Sequence, residues 1–230
     1  PSFLDIGIRV ETNKDIFDHI VDMQYDPKIY INTEHGTVRT YCTNPGGSVI
    51  VENKHGFVSV NGHASKNKKT ERTNFALMCK YKCHDPKETV KRICSWITKE
   101  NKGVPILQGL HGFVNESDKG FHSVNLTNSK YNVNDISSYY PEEVVNALRS
   151  ANKKIAEFVP DYLSEASVLY GPEVKLYNYI IPTKMNCFES KVKGLHFIGD
   201  CCGEIHGLLN AIYSGISCGE KINGGNDGKC

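Results

Sequence analysis

The segment from Gly194 to Ile222 constrains the fold most, because it reads as one strand, one loop and one helix at the end of a chain of different grammar. Gly194–Ile198 is a short apolar run closed by Gly199 and Asp200. After a glycine-containing stretch, Leu208, Leu209, Ala211, Ile212, Ile216 and Cys218 recur at helical spacing from Gly207 to Ile222. A single βα unit cannot build a parallel sheet, which needs neighbouring strands and helices on its faces. The unit is therefore expected to join a sheet whose other strands lie elsewhere. An acid at the end of such a strand can accept a ligand hydroxyl, and the unpaired amides of the following helix suit an electron-rich carbonyl or phosphate. The plainer reading is an ordinary βα turn in which Asp200 caps the helix.

The preceding residues read as a mixture of strands and helices. Leu4–Glu11 alternates apolar and polar side chains, which predicts a strand with one buried face. Asp15–Asp22 has the spacing of a short amphipathic helix. Two short strands are expected over Tyr30–Tyr41, broken at Glu34-His35-Gly36. A turn at Asn44-Pro45-Gly46-Gly47 leads into the strand Ser48–Asn53 and a hairpin continuation over Gly56–Asn61. Asn74–Tyr81 and Ser167–Tyr177 read as strands, and Tyr179–Pro182 as extended. Pro86–Asn101 reads as a helix from Val90, Ile93, Cys94 and Ile97 at helical spacing, and Pro141–Phe158 as a second, opening with Pro-Glu-Glu, which suits a first turn. Gln108–Tyr139 is polar, poorly periodic and long enough to carry function. The fold class expected is α+β: a mixed-sheet domain over residues 1–190, then over 191–230 one strand and helix that belong to another sheet.

The balance of 27 Lys and Arg against 26 Asp and Glu leaves no net field to recruit nucleic acid or an anionic membrane. The cluster Lys66, Lys68, Lys69 and Arg72 reads as a solvated basic loop. No apolar run approaches the length of a membrane helix. Nine scattered cysteines read as free thiols of a reducing cytosol, so a cytoplasmic location is expected. Cys79 and Cys83 with His84 lack the second ligand pair that a structural zinc site needs, so no metal is assigned.

Gly194-Leu-His-Phe-Ile-Gly-Asp200, with Gly203 and then Gly207-Leu-Leu-Asn-Ala-Ile-Tyr-Ser-Gly215, resembles the second FAD motif near the C-terminus of many flavoproteins. Further landmarks are Asp5-Ile-Gly-Ile-Arg-Val-Glu11, Tyr25-Asp-Pro27, Arg39-Thr-Tyr-Cys42 with Pro45-Gly-Gly47, Asn61-Gly-His63, Asn74-Phe-Ala76 and Leu169-Tyr-Gly-Pro-Glu173. In that order they are similar to the bacterial FAD-dependent (NAD/FAD-utilising) dehydrogenases. The resemblance implies that residues 1–190 are a substrate domain and 191–230 the last strand and helix of an FAD-binding, Rossmann-like domain, with FAD as cofactor and Gly199, Asp200, Gly203, Glu204, Gly207, Leu208 and Leu209 as its binding residues here. Asp200 would bond a ribityl or ribose hydroxyl, and the amides near Gly207 would face the flavin edge where charge develops. His206 would stand close to the ring as an acid or base.

Three other residues are candidates for the substrate side. Arg39, beside a glycine-rich turn with Glu52 and Asn53 on the next strand, suits an anion clamp. Cys42 could be a flavin-adjacent redox thiol, against the plainer reading of small core packing. His63, after a turn glycine, could serve as acid or base, and Gln108 and His111 carry a weaker signal. No G-x-G-x-x-G follows a strand anywhere in the 230 residues, although that fingerprint grips the FAD pyrophosphate. With the start at Pro1, this suggests the C-terminal portion of a longer protein whose FAD-binding half lies in the same or another chain. The expected activity is flavin-mediated hydride transfer on a small organic substrate, with NAD(P)H as the electron partner in the simplest version. The alternatives are a flavin-dependent lyase or amine oxidase, and a non-catalytic binding module.

Overall fold

The computed structural model describes residues 3–54, 56–117, 120–121, 125–176, 180–184, 187–205 and 207–224, with the backbone alone at Lys54. The chain separates into two compact units, Ser2–Lys175 and Leu176–Cys230, with Pro1 grouped to the second.

The first unit opens with β1 (Phe3–Asn13) and α1 (Lys14–Met23), followed by β2 (Tyr30–Thr33), β3 (Gly36–Pro45), β4 (Ser48–Lys54), β5 (Phe57–His63) and β6 (Arg72–Lys82). Then come α2 (Pro86–Glu100), β7 (Ile106–Gly109), α3 (Leu110–Asn115), β8 (Asn132–Val133), α4 (Glu142–Ala156) and β9 (Val168–Lys175). Seven strands form one sheet in the order β2-β3-β6-β1-β9-β7-β8. Every pairing is antiparallel except β7 with β8, so the sheet is mixed and the class is α+β. Strands β4 and β5 form a separate hairpin. The long polar segment after Gln108 resolves into short pieces, with Gln108 in β7 and His111 in α3.

Local chemistry explains the helix starts. Pro86 begins α2 where a missing amide hydrogen costs nothing, and the Asp85 carboxylate accepts from Glu88 N at 3.0 Å. Glu142 and Glu143 occupy the first turn of α4, and Lys153 and Lys154 the last, each complementing the helix dipole. One face of β1 sends Leu4, Ile6, Ile8 and Val10 into the main core. They pack with Phe17 of α1, Ile93 and Ile97 of α2, and Leu148 and Ile155 of α4. This burial of apolar side chains is the dominant favourable contribution to the unit.

The other face of β1 corrects the expectation of a half-buried strand. Asp5, Arg9 and Glu11 are as buried as their apolar neighbours, with Arg9 and Glu11 fully inaccessible. At Arg9 and Glu11 the reason is the β4–β5 hairpin, which lies over this part of the second face. Val49 and Val60 from the hairpin form a small second core with Leu107, Val168 and Tyr170. Thr98 Oγ1 of α2 also accepts from Val58 N at 2.9 Å, tying the hairpin to a helix.

In the second unit, α5 (Leu208–Gly224) follows a 3₁₀ turn over Gly199–Cys202. The strand expected over Gly194–Ile198 is not formed: His196 makes one isolated antiparallel bridge, to Glu189. Ser190 N donates to Leu195 O and Phe197 N to Phe188 O on either side of it. An apolar run becomes a strand only where neighbours pair with it, and among the described residues only the 188–190 stretch does. Tyr179–Pro182 is likewise not in a strand over its described residues.

Candidate functional site

The buried face of the sheet carries two arginine–glutamate pairs whose partners are distant in sequence. Arg9 on β1 grips Glu173 on β9 with two parallel bonds, Nε to Oε2 at 2.7 Å and Nη2 to Oε1 at 2.6 Å. Its remaining N–H groups go to Asn74 Oδ1 at 3.0 Å, Cys42 O at 3.2 Å and Asn61 Oδ1 at 3.5 Å. All five guanidinium donors are thus engaged, which makes Arg9 a structural clamp. The hairpin reaches this clamp through Asn61, whose Nδ2 donates to Glu52 Oε1 at 3.0 Å.

The second pair joins Arg72 on β6 to Glu11, Nε to Oε1 at 3.1 Å. Arg72 is 2% exposed and also donates to Asn13 Oδ1, Ala166 O and Glu11 O. Its grouping with a solvated lysine loop is therefore incorrect, because the buried Glu11 carboxylate draws it under the hairpin. Thr127 completes the arrangement: its N and Oγ1 donate to Glu11, and its Oγ1 accepts from Val49 N at 2.9 Å.

Burial pushes the carboxyls of Glu11 and Glu173 above their ordinary value, against the pull of their arginines. A carboxyl whose folded pKa is raised adds stability that is complete below its unfolded value near 4.5 and is lost as pH rises through the folded value. The unfolding free energy of the native protein minus that of Glu11→Gln should therefore fall as pH rises from about 4.5, then level off. Urea denaturation at a series of pH values reads this difference, and a flat difference would contradict the raised pKa.

With Arg9 and Arg72 fully committed, the accessible guanidinium on this face is that of Arg39 on β3, whose side chain is 35% exposed. Its Cζ lies 3.8 Å from the centroid of the Tyr41 ring and 5.7 Å from that of Tyr30. Arg39 Nη1 donates to Tyr30 Oη at 3.1 Å. Lys175, at the end of β9, brings its Nζ to 4.0 Å from the same Tyr41 ring and 3.9 Å from Cys42 Sγ. The Tyr41 hydroxyl donates to Asp5 Oδ2 at 2.5 Å, and Asp5 stands 3.9 Å from Arg39.

A register shift between Tyr41 and Asn44 marks a bulge in β3, and Cys42 adopts a left-handed φ of 45° within it. The bulged carbonyl is held by Arg9 and by Asn44 Nδ2, while the thiol is exposed. Two buried atoms beside the bulge, Thr43 Oγ1 and Asn74 Nδ2, have no hydrogen bond among the described residues.

The candidates Arg39 and Cys42 thus share one site, with Tyr41 and Lys175 as members that the sequence reading did not single out. His63 stands apart from them, exposed at the end of β5 and paired in register with Ser48. Elsewhere in the first unit, burial pushes the thiols of Cys79 and Cys94 up to about 11 and about 12, as expected of inert core cysteines.

The second unit gathers the remaining candidates at the start of α5. Gly199, Gly203 and Gly207 have φ of 66°, 79° and 89°, a region that side chains with a Cβ rarely adopt. Gly199 N donates to Ser214 Oγ at 3.0 Å, and that hydroxyl donates to Ala211 O at 2.7 Å, fixing the turn against the helix. Asp200 and Glu204 are exposed, as are Leu208 and Leu209 at 76% and 81%. Ala211 N is bonded to Gly207 O, the first rung of the helix ladder, so the amides before it lie at the polarised N-terminus. His206 lies outside the described residues.

Among curated proteins, none matches the chain. A family model does match, over residues 3–176, and its span coincides with the first unit, the seven-stranded sheet and its covering hairpin. By that match the chain belongs to the family described as FAD-dependent protein, C-terminal domain-like.

Proposed function

We propose that the chain is the C-terminal, substrate-facing part of an FAD-dependent oxidoreductase that moves a hydride to or from a small organic substrate. The observation that carries the reading is the opening of α5. Gly207 stands in a left-handed conformation with nothing within 4 Å of where its Cβ would be. Directly after it come helix-terminal amides and two bare leucines. An aromatic ring system with electron-rich carbonyls at its edge fits that combination: apolar side chains beside it, and polarised N–H groups toward its oxygens. The family assignment supports FAD as that ring system.

When bound, FAD supplies the two-electron acceptor or donor that no side chain provides. The residues of this chain bind and orient. Asp200 would accept a hydroxyl of the ribityl chain or ribose. The amides of Leu208 and Leu209 would meet its electron-rich edge, where a helix N-terminus favours added negative charge. Gly199, locked to Ser214, sets the position of the Asp200 turn. The pyrophosphate grip belongs to an FAD-binding half in the same polypeptide or another chain, since the fingerprint is absent from these residues. Reduced nicotinamide is the electron partner in the simplest scheme.

The test joins this chain to that half and measures FAD binding by quenching of flavin fluorescence. Asp200→Ala is expected to weaken binding by about tenfold or more, the loss of a charge-assisted hydrogen bond. Equal affinity with and without Asp200 would remove this turn from the cofactor site. If the joined protein held no FAD at all, the chain would be better read as an interaction module, using the exposed apolar residues of α5.

A further inference from the structure

We propose that Arg39 and Lys175, both held against the ring of Tyr41, form a recognition site for the carboxylate of a small organic acid. The Cys42 thiol lies at the edge of this site. The inference rests on the flavoenzyme reading for its purpose, since it names the substrate class of that enzyme, but the site itself is visible without the cofactor.

Strand register puts the site on the second face of the sheet. Lys175 of β9 and Lys80 of β6 are both paired with Asp5 of β1, so all three point to one side. In the next row, Gly7 is paired with Met78, and Met78 with Arg39. Arg39, Tyr41 and Lys175 therefore gather over a floor of Gly7, Ala76 and Met78, whose side-chain positions are closed to solvent.

The cations here are uncommitted, in contrast to those beneath the hairpin. Arg9 spends five donors on protein acceptors, whereas Arg39 spends one, on Tyr30, and meets Asp5 at a loose 3.9 Å. Lys175 contacts the Tyr41 ring and the Cys42 sulfur, and no carboxylate lies within ion-pair distance of it among the described residues. Two like charges against one ring repel unless an anion joins them. Stacking on Tyr41 pre-orients both, so a ligand does not have to order two free side chains.

A planar fork beside an ammonium matches the geometry of a carboxylate. Of the charged groups that touch Tyr41, Arg39 and Lys175 are cationic and Asp5 anionic, a sum of one positive charge that suits a monoanion over a dianionic phosphate, while Lys80 of the same row lies over the Phe3 ring instead, at 3.8 Å. The bulge adds placement: Arg9 and Asn44 pin the Cys42 carbonyl while the thiol turns toward Lys175, at a distance of 3.9 Å.

Cys42 supplies the readout. The isolated chain is treated with iodoacetate, which carries a carboxylate, or with neutral iodoacetamide, and alkylation of each cysteine is followed by mass spectrometry. Cys201, also exposed, serves as the internal reference. The iodoacetate-to-iodoacetamide rate ratio should be about tenfold higher at Cys42 than at Cys201, since a local positive field concentrates the anion. The preference should fall partway in Lys175→Gln, which leaves the Arg39 and Asp5 contact in place. It should disappear in the Arg39→Gln/Lys175→Gln double variant, whose circular dichroism should match the native chain. Acetate should protect Cys42 and inorganic phosphate should not. Equal ratios at the two cysteines, a preference that survives the double variant, or better protection by phosphate would each overturn the assignment. Because no flavin is involved, failure here leaves the Asp200 test of the cofactor site intact.

Discussion

Replacing Glu173 with alanine is expected to cost about 3–5 kcal/mol of folding stability, the usual consequence of leaving one member of a buried ion pair alone. Arg9 is fully inaccessible, and Glu173 takes two of its N–H groups at 2.6 and 2.7 Å. Removing the carboxylate strands a cation that cannot reach water and cannot release its proton at accessible pH. Glu173→Gln should cost less, because the amide oxygen still accepts one of the two bonds. Replacing both partners with apolar residues often restores the stability of a buried pair, but full recovery is not expected here. Asn74, Asn61 and the Cys42 carbonyl also depend on Arg9 and would lose their donor. Urea unfolding of the single and double variants measures this order. A double variant as stable as the native chain would show that those three acceptors find other partners.

This clamp also marks the limit of what the sequence discloses. The apolar half of β1 was legible because alternation is local: Leu4, Ile6, Ile8 and Val10 announce a core face within eight residues. The polar half was read as solvent-facing because nothing within β1 indicates that a hairpin from residues 48–63 will cover it. The partners that neutralise its charges lie 61 and 164 positions away. A usable hint was present nonetheless, since an arginine and a glutamate two positions apart interrupt an otherwise strongly β-forming strand. The anion site was half visible for the same reason. Arg39 and Cys42 sit near a glycine turn that can be seen locally, whereas Lys175 joins them from 133 residues beyond Cys42, on a strand three places away in the sheet. The misjudged strand at Gly194–Ile198 is the converse case. Its apolar character is local, but a strand exists only through its neighbours, and a single bridge to Glu189 is all that the described residues provide.

The hairpin that conceals the clamp rests on one glycine, and Gly62→Ala should therefore destabilise the protein by about 1–3 kcal/mol, the cost of overpacking a filled interior. A Cβ on Gly62 would lie 2.1 Å from Asn44 Nδ2, 2.3 Å from Arg9 Nη1 and 2.6 Å from Asn74 Oδ1. None of these can step aside cheaply. Arg9 is held by five bonds, Asn74 Oδ1 accepts from Arg9 and Asn44, and Asn44 Nδ2 donates to the Cys42 carbonyl. The movable body is the hairpin itself, and lifting it would separate Val49 and Val60 from Leu107, Val168 and Tyr170. The damage should thus be regional. Amide exchange should quicken in β4 and β5 and at Thr127, whose hydroxyl accepts from Val49 N, while protection along β6 and the main core persists. Uniform acceleration throughout the unit would instead mean that hairpin and sheet unfold as one. Unchanged exchange together with unchanged stability would mean that the sheet face accommodates the methyl group. Loosening should also reach the Cys42 bulge, because the carbonyl pinned there shares its two donors, Arg9 and Asn44, with the space that the new methyl group would enter.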